Sequence, residues 1–244
     1  MNIDEPLKTL GDVDATPLIE AVLALDEAAW LANRNRQTEY EVHKQTQSVV
    51  LVFCDGAMDD MAISKESGWD LLADAAVPVM HDLIGRFYPP GGTIIRAMAA
   101  KLLSGGRINP HFDSHASFRH SHRIHVPITT NPRVRFTIDG KPFHLKVGKA
   151  YEVNNQKTHS VINSGKDDRI TFIFDYMPAD QIASEIRRWA ASPLAGLSIP
   201  VAESRSSVPG VSHSDATGAW SSHRSAGAPA PSLRSSPHAG FRRT

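Results

Sequence analysis

Apolar residues recur along this chain with two different periods. From Asp14 to Trp30, the residues Leu18, Ile19, Val22, Leu23, Leu25, Ala29 and Trp30 form a broad stripe at helical spacing, and Thr16-Pro17 supplies a start. Ser67 to Phe87 repeats the pattern, with Trp69, Leu71, Leu72, Ala75, Val79, Leu83 and Ile84 on the apolar side. Pro78 predicts a kink or split in that helix, and Pro89-Pro90-Gly91-Gly92 stops it. Elsewhere the period falls to two or to short β-branched runs, which predict strands. These are Val49–Phe53, Thr93–Leu103, Arg123–Thr129, Val134–Ile138, Phe143–Val147, Lys149–Val153, Thr158–Ile162 and Arg169–Met177. Asp139-Gly140 is a hairpin signal, and Asp55-Gly56, Ser104-Gly105-Gly106, Asn154-Asn155 and Asn163-Ser164-Gly165 mark further turns. Pro178-Ala179-Asp180 opens a last helix with Ile182, Ile186 and Trp189 inward. Short strands joined by turn residues suggest an antiparallel barrel or jelly roll, mainly β with flanking helices.

The ends of the chain read differently. Residues 1–13 predict a poorly ordered leader, and Asn33–Glu41 is a polar connection. Beyond about Ser192, Ser, Ala, Pro, Gly and Arg dominate without a period, so 192–244 predicts a disordered tail. That leaves a domain at 1–191 with its core at about 46–177.

Composition narrows the class. Of 244 residues 41% are hydrophobic, enough for a real core, and Lys+Arg and Asp+Glu both total 26. The balance argues against a nucleic-acid partner, which usually needs a basic surplus. A single cysteine, Cys54, excludes an internal disulfide and a cysteine metal cluster. The start MNIDEPLKTL lacks an apolar signal region. No run approaches the roughly 18 apolar residues of a membrane span. The expectation is a cytoplasmic protein without a membrane partner. No oligomeric state follows from the sequence.

The candidate chemistry lies between Asn109 and Tyr176. His111-Phe112-Asp113 sets an imidazole and a carboxylate two residues apart, on one face if the backbone is extended. A second imidazole, His159, follows after further strands, and seven of the twelve histidines lie between His111 and His159. Two His and one carboxylate with other positions open is the ligand set of a non-haem Fe(II) oxygenase. Ten residues beyond His159, Arg169 heads the run Ile170-Thr171-Phe172-Ile173-Phe174, where a guanidinium could clamp a carboxylate in a two-pronged pair. Together these suggest a 2-oxoglutarate-dependent dioxygenase. The bland alternatives are a core histidine at 159 satisfied by a carbonyl, and an Arg169 salt-bridged to Asp167 or Asp168. His115, His120 and His122 line the substrate entrance or form a solvated loop. Arg107 and Asn109 flank the site as candidates for a substrate carboxylate, and Asp175 reads as structural.

The order H-x-D, R-I-H-V-P, D-G, V-G-K-A-Y-E-V-N, H-S-V-I-N and R-I-T-F-I-F-D resembles the aspartyl/asparaginyl β-hydroxylase family. The likeness runs roughly from Thr46 to Met177, and H-K-Q-T-Q-S-V-V-L is similar to the strand that opens the domain in bacterial members. The resemblance implies a double-stranded β-helix (a cupin-like jelly roll), an Fe(II) centre, and 2-oxoglutarate and O2 as co-substrates. Carried over by position, it implies that His111 and His159 are metal ligands, with Asp113 completing the triad of the wider superfamily. Animal members have glycine at the Asp113 position, whereas the related free-proline hydroxylases carry H-x-D. It also implies that Arg169 pairs with the distal carboxylate of 2-oxoglutarate, and that Arg123 and His125 help hold that co-substrate. The expected reaction is hydroxylation of an amino-acid-like carbon in a free amino acid, peptide or protein side chain. The alternatives are a non-catalytic cupin-like binding module for a metal or small molecule, and a zinc hydrolase, which lacks an evident general-base motif.

Overall fold

The structure, a computed structural model, describes residues 1–32, 45–55 and 61–182. Three helices and eleven strands follow in chain order: β1 (Leu7–Asp12), α1 (Thr16–Leu23), α2 (Glu27–Leu31), β2 (Thr46–Asp55), β3 (Ala62–Lys65), α3 (Gly68–Phe87), β4 (Thr93–Leu102), β5 (Arg107–His111), β6 (His122–Thr129), β7 (Val134–Ile138), β8 (Lys141–Phe143), β9 (Lys149–Val153), β10 (His159–Asn163) and β11 (Arg169–Met177). They build a seven-stranded sheet, β1-β9-β6-β11-β4-β2-β3, and a four-stranded sheet, β5-β10-β7-β8. Each pairing is antiparallel. The fold is a jelly roll of the double-stranded β-helix kind, mainly β with flanking helices.

Strand alternation gives the large sheet two faces with different partners. One face packs Ile124, Val126 and Ile128 of β6 and Phe172, Phe174 and Tyr176 of β11 against Leu18 of α1 and Leu72, Met80 and Leu83 of α3. Each such fully buried side chain contributes roughly 1.5–3 kcal/mol relative to exposure. On the other face, Leu102, Tyr151 and Val153 meet Val134, Phe136, Ile138 and Val161 of the small sheet. The intervening residues of β6 and β11, which include Arg123, His125, Arg169, Thr171 and Asp175, therefore share the face turned to the space between the sheets.

Several local expectations need correction. The first 13 residues are not a loose leader: β1 pairs with β9, and Leu10 and Val13 are buried. A register shift between Thr9 and Gly11, with Gly11 at φ 120°, breaks the alternation that would have announced a strand. The first helix divides into α1 and α2, because Asp26 caps the second by accepting from Ala29 N at 2.8 Å. Pro78 does not split α3, which runs unbroken for 20 residues. Pro78 is exposed, so water reaches the carbonyl that its missing N–H leaves unpaired. Leu71, expected inward, is 51% exposed.

Asp139 (φ 51°) and Gly140 (φ 73°) make the hairpin turn as expected, though its return strand covers Lys141–Phe143 and not Phe143–Val147. A short 3-10 turn, Ala179–Gln181, stands where the last helix was expected to begin. Ile186, Trp189, the polar connection Asn33–Glu41, Gly56 and the tail lie outside the described residues. Among the described residues, no helix is long and apolar enough to cross a membrane.

Candidate metal centre

His111 ends β5 and His159 begins β10, and the two residues are cross-strand partners. Their rings stand 4.4 Å apart between centroids. Asp113 follows two residues after His111; its backbone N–H donates to Asn155 O at 3.1 Å, and Gln156 Nε2 donates to its carbonyl at 3.3 Å. The turn after β9 thus fastens the Asp113 loop to the strand pair. One ligand atom from each of His111, Asp113 and His159 lies within 4.8 Å of the others.

The imidazoles are held in one tautomer. His111 Nδ1 donates to Asn109 O at 2.7 Å and His159 Nδ1 donates to Lys157 O at 3.0 Å. A carbonyl can only accept, so each Nδ1 carries a proton, and in the neutral ring this leaves the lone pair on Nε2, as a metal ligand requires. Burial lowers the His159 pKa, and the nearby Asp113 charge only partly restores it. For Asp113, burial raises the pKa, but the charges of Arg123, His159 and His111 outweigh it and hold the carboxyl below the usual carboxylate range. Neutral imidazoles and an ionised carboxylate are the donor set that a divalent transition metal takes. The residues fit such an ion.

Arg123 belongs to this cluster in an unexpected way. Its Nη1 donates to Asp113 Oδ2 at 2.6 Å, while Nε and Nη2 donate to Asp175 at 2.8 and 2.9 Å. The arginine expected to help hold a co-substrate grips two carboxylates of its own chain. Asp175 is fully buried and sits across from Arg123 in the β11–β6 register. Its role was hinted at only by an acid that shares strand parity with Arg169 and Thr171 in an otherwise apolar run.

Between the sheets several other polar groups lack partners among the described residues. Arg169 is 5% exposed, and among the described residues no carboxylate pairs with it. Asp168, one candidate for that pairing, instead accepts from Ser104 N at 2.7 Å. Burial alone lowers the Arg169 pKa to about 10. Both ring nitrogens of His125, together with Ser48 Oγ and Thr171 Oγ1, are buried without a hydrogen bond among the described residues. Burial first, then the charges of Arg169, Arg123 and His159, push the His125 pKa well below its solution value. The Phe136 ring stands between His125 (5.8 Å between centroids) and His159 (6.1 Å), so His125 is one aromatic ring away from the candidate metal-binding cluster.

The other candidates have different employment. His115 Nδ1 faces Ser117 Oγ at 2.7 Å and Arg96 Nη2 at 3.2 Å. His120 meets Gln181 at 2.9 Å, and His122 meets Glu152 at 2.5 Å on the helix side of the large sheet. Arg107 pairs with Ile162 at the far end of β5 from His111, four residues or about 13 Å along the strand.

Residues 66–178 match the sequence model of the aspartyl/asparaginyl β-hydroxylase family. This stretch of the chain is similar to that family. No curated protein sequence matches the chain. Similar solved structures include a 2OG-Fe(II) oxygenase family oxidoreductase from Burkholderia pseudomallei, at 12% identity over 54% of this chain and 67% of the other, with a TM-score of 0.42. The non-heme monooxygenase ThoJ in its Ni complex is 12% identical over 71% of this chain and 74% of the other, at a TM-score of 0.44. The non-heme α-ketoglutarate-dependent epimerase SnoN from nogalamycin biosynthesis is 14% identical over 72% and 78%, at 0.39.

Proposed function

We propose that this chain is an Fe(II)- and 2-oxoglutarate-dependent dioxygenase that hydroxylates an amino-acid-like carbon of a small molecule or peptide. The observation that carries the reading is Arg169, a buried guanidinium with no carboxylate partner among the described residues, close enough to His125 for its charge to be felt there, with the Phe136 ring alone between His125 and His159 of the His111, Asp113 and His159 cluster. A buried charge is costly unless something pairs with it, and a dicarboxylic ketoacid brings one carboxylate for the metal and one for the arginine. We place the catalytic domain at 1–191, with its core at about 46–177.

In this reading His111 Nε2, Asp113 Oδ1 and His159 Nε2 hold Fe(II), leaving other positions open. Arg169 receives the distal carboxylate in a two-pronged pair. His125, with Ser48 and Thr171, supplies hydrogen-bonding groups that no group among the described residues uses. With 2-oxoglutarate and O2, bound Fe(II) supplies the oxidant for C–H hydroxylation as the ketoacid is converted to succinate and CO2. The protein's own contribution is to fix these partners in register and to keep the interior dry, where charge pairing is strongest.

The test is turnover. The purified full chain is loaded with Fe(II) and 2-oxoglutarate without oxygen, offered a panel of amino acids and peptides, and exposed to ¹⁸O-labelled O2. Succinate together with one labelled oxygen in a panel member supports the reading. Co-substrate binding without succinate across the panel turns it into a cupin-like binding module.

A further inference from the structure

Asp113 has two carboxylate oxygens, and the protein already holds one of them. Oδ2 accepts from Arg123 Nη1 at 2.6 Å, whereas Oδ1 lies 3.9 Å from His111 Nε2. Arg123 is itself clamped. Its remaining nitrogens, Nε and Nη2, donate to Oδ1 and Oδ2 of the buried Asp175. The Phe118 ring lies 4.4 Å from its Cζ. Arg96, in register with Asp175 on the opposite neighbour strand, approaches Asp175 Oδ2 at 3.7 Å. All three guanidinium nitrogens of Arg123 thus have assigned partners, and only one of them reaches the metal-ligand cluster.

We propose that Asp175 and Arg123 are positioning residues that restrict Asp113 to one-oxygen coordination through Oδ1. A carboxylate binding through both oxygens would take a further position on the ion. Holding Oδ2 on Arg123 keeps that position for the ketoacid. The inference rests on the reading of His111, Asp113 and His159 as metal ligands. It gives Arg123 a task different from co-substrate binding.

Co(II) alone, titrated into the full chain without 2-oxoglutarate and followed by its visible absorption, separates these possibilities. Arg123→Gln and Asp175→Asn are expected to weaken Co(II) binding by about 10- to 100-fold and to change the band shape, as loss of an outer partner of a ligand does. Unchanged Co(II) affinity and band in Arg123→Gln, with weakened 2-oxoglutarate binding only, would overturn the proposal and make Arg123 a co-substrate contact. Should the variants fail to fold, X-ray absorption on the Co(II)-loaded wild-type chain decides. One carboxylate oxygen on the metal supports the proposal, and two overturn it. If wild-type Co(II) binding is absent, or is indifferent to His111→Ala, the metal-centre reading falls and takes this inference with it.

Discussion

His159 faces His111 directly across the β5–β10 ladder, although 47 residues of chain separate them. In a strand a one-residue slip turns a side chain to the opposite face, so the pairing register decides whether two imidazoles meet. β10 is held on its other edge by β7 over five consecutive pairs, His159↔Ile138 to Asn163↔Val134, which fixes that register. The pairing of the two imidazoles is therefore a property of the small sheet.

Metal should stabilise the fold through these two side chains. With free Mn(II) at 100 times its dissociation constant, linkage gives the wild type about 2.7 kcal/mol. The His111→Ala/His159→Ala double variant should gain nothing. Thermal unfolding with and without Mn(II) checks this.

Arg169→Met should make the ligand-free protein more stable, by about 1–4 kcal/mol, because it replaces a buried charge without a carboxylate partner among the described residues by apolar atoms of similar length. The same change should weaken 2-oxoglutarate binding at least about thirtyfold, the lower end of what losing one partner of a buried charge pair costs. Urea denaturation and ligand titration should thus move in opposite directions.

The histidines give the metal-free protein an acid-sensitive stability. In the fold His125 and His159 sit below their solution value of 6.5, mainly through burial. Above pH 6.5 the imidazoles are neutral in both folded and unfolded chains, and their contribution is fully present. As the pH falls below 6.5 the unfolded chain takes up protons that the folded chain refuses, and stability falls by up to about 1.4 kcal/mol per pH unit for each group. His125→Leu should flatten that slope between pH 6.5 and 5, as read from denaturant midpoints.

Gly92 tests the packing beneath the site. A Cβ there would lie 2.3 Å from Met177 O and 2.5 Å from the Tyr176 ring, and the Gly92 N–H donates to Tyr176 Oη at 2.9 Å. Gly92→Ala should cost about 1–3 kcal/mol in urea denaturation, while Mn(II) affinity stays near the wild-type value.

The strands of the core were legible because they follow period two and end in Gly, Asn or Asp turns, and the motif spacing marked His111, Asp113, His159 and Arg169. β1 was not legible, since its bulge at Gly11 puts Leu7, Leu10 and Val13 three apart. The task of Arg123 could not be read either. Its partners Asp113 and Asp175 lie 10 and 52 residues away, and only the β6–β11 register brings them together. Ser48 and Thr171 escaped for the same reason: each is paired to Ala100 from opposite sides, an arrangement that exists only once the sheet has formed.

The most direct measurement is the visible charge-transfer absorption of the Fe(II)-loaded chain titrated with 2-oxoglutarate without oxygen. A weak band that saturates is expected in the wild type, and in Arg169→Met a band that appears only at much higher 2-oxoglutarate, with Fe(II) affinity retained. No band in the wild type, or equal loss of metal and ketoacid binding in Arg169→Met, would contradict the proposed function.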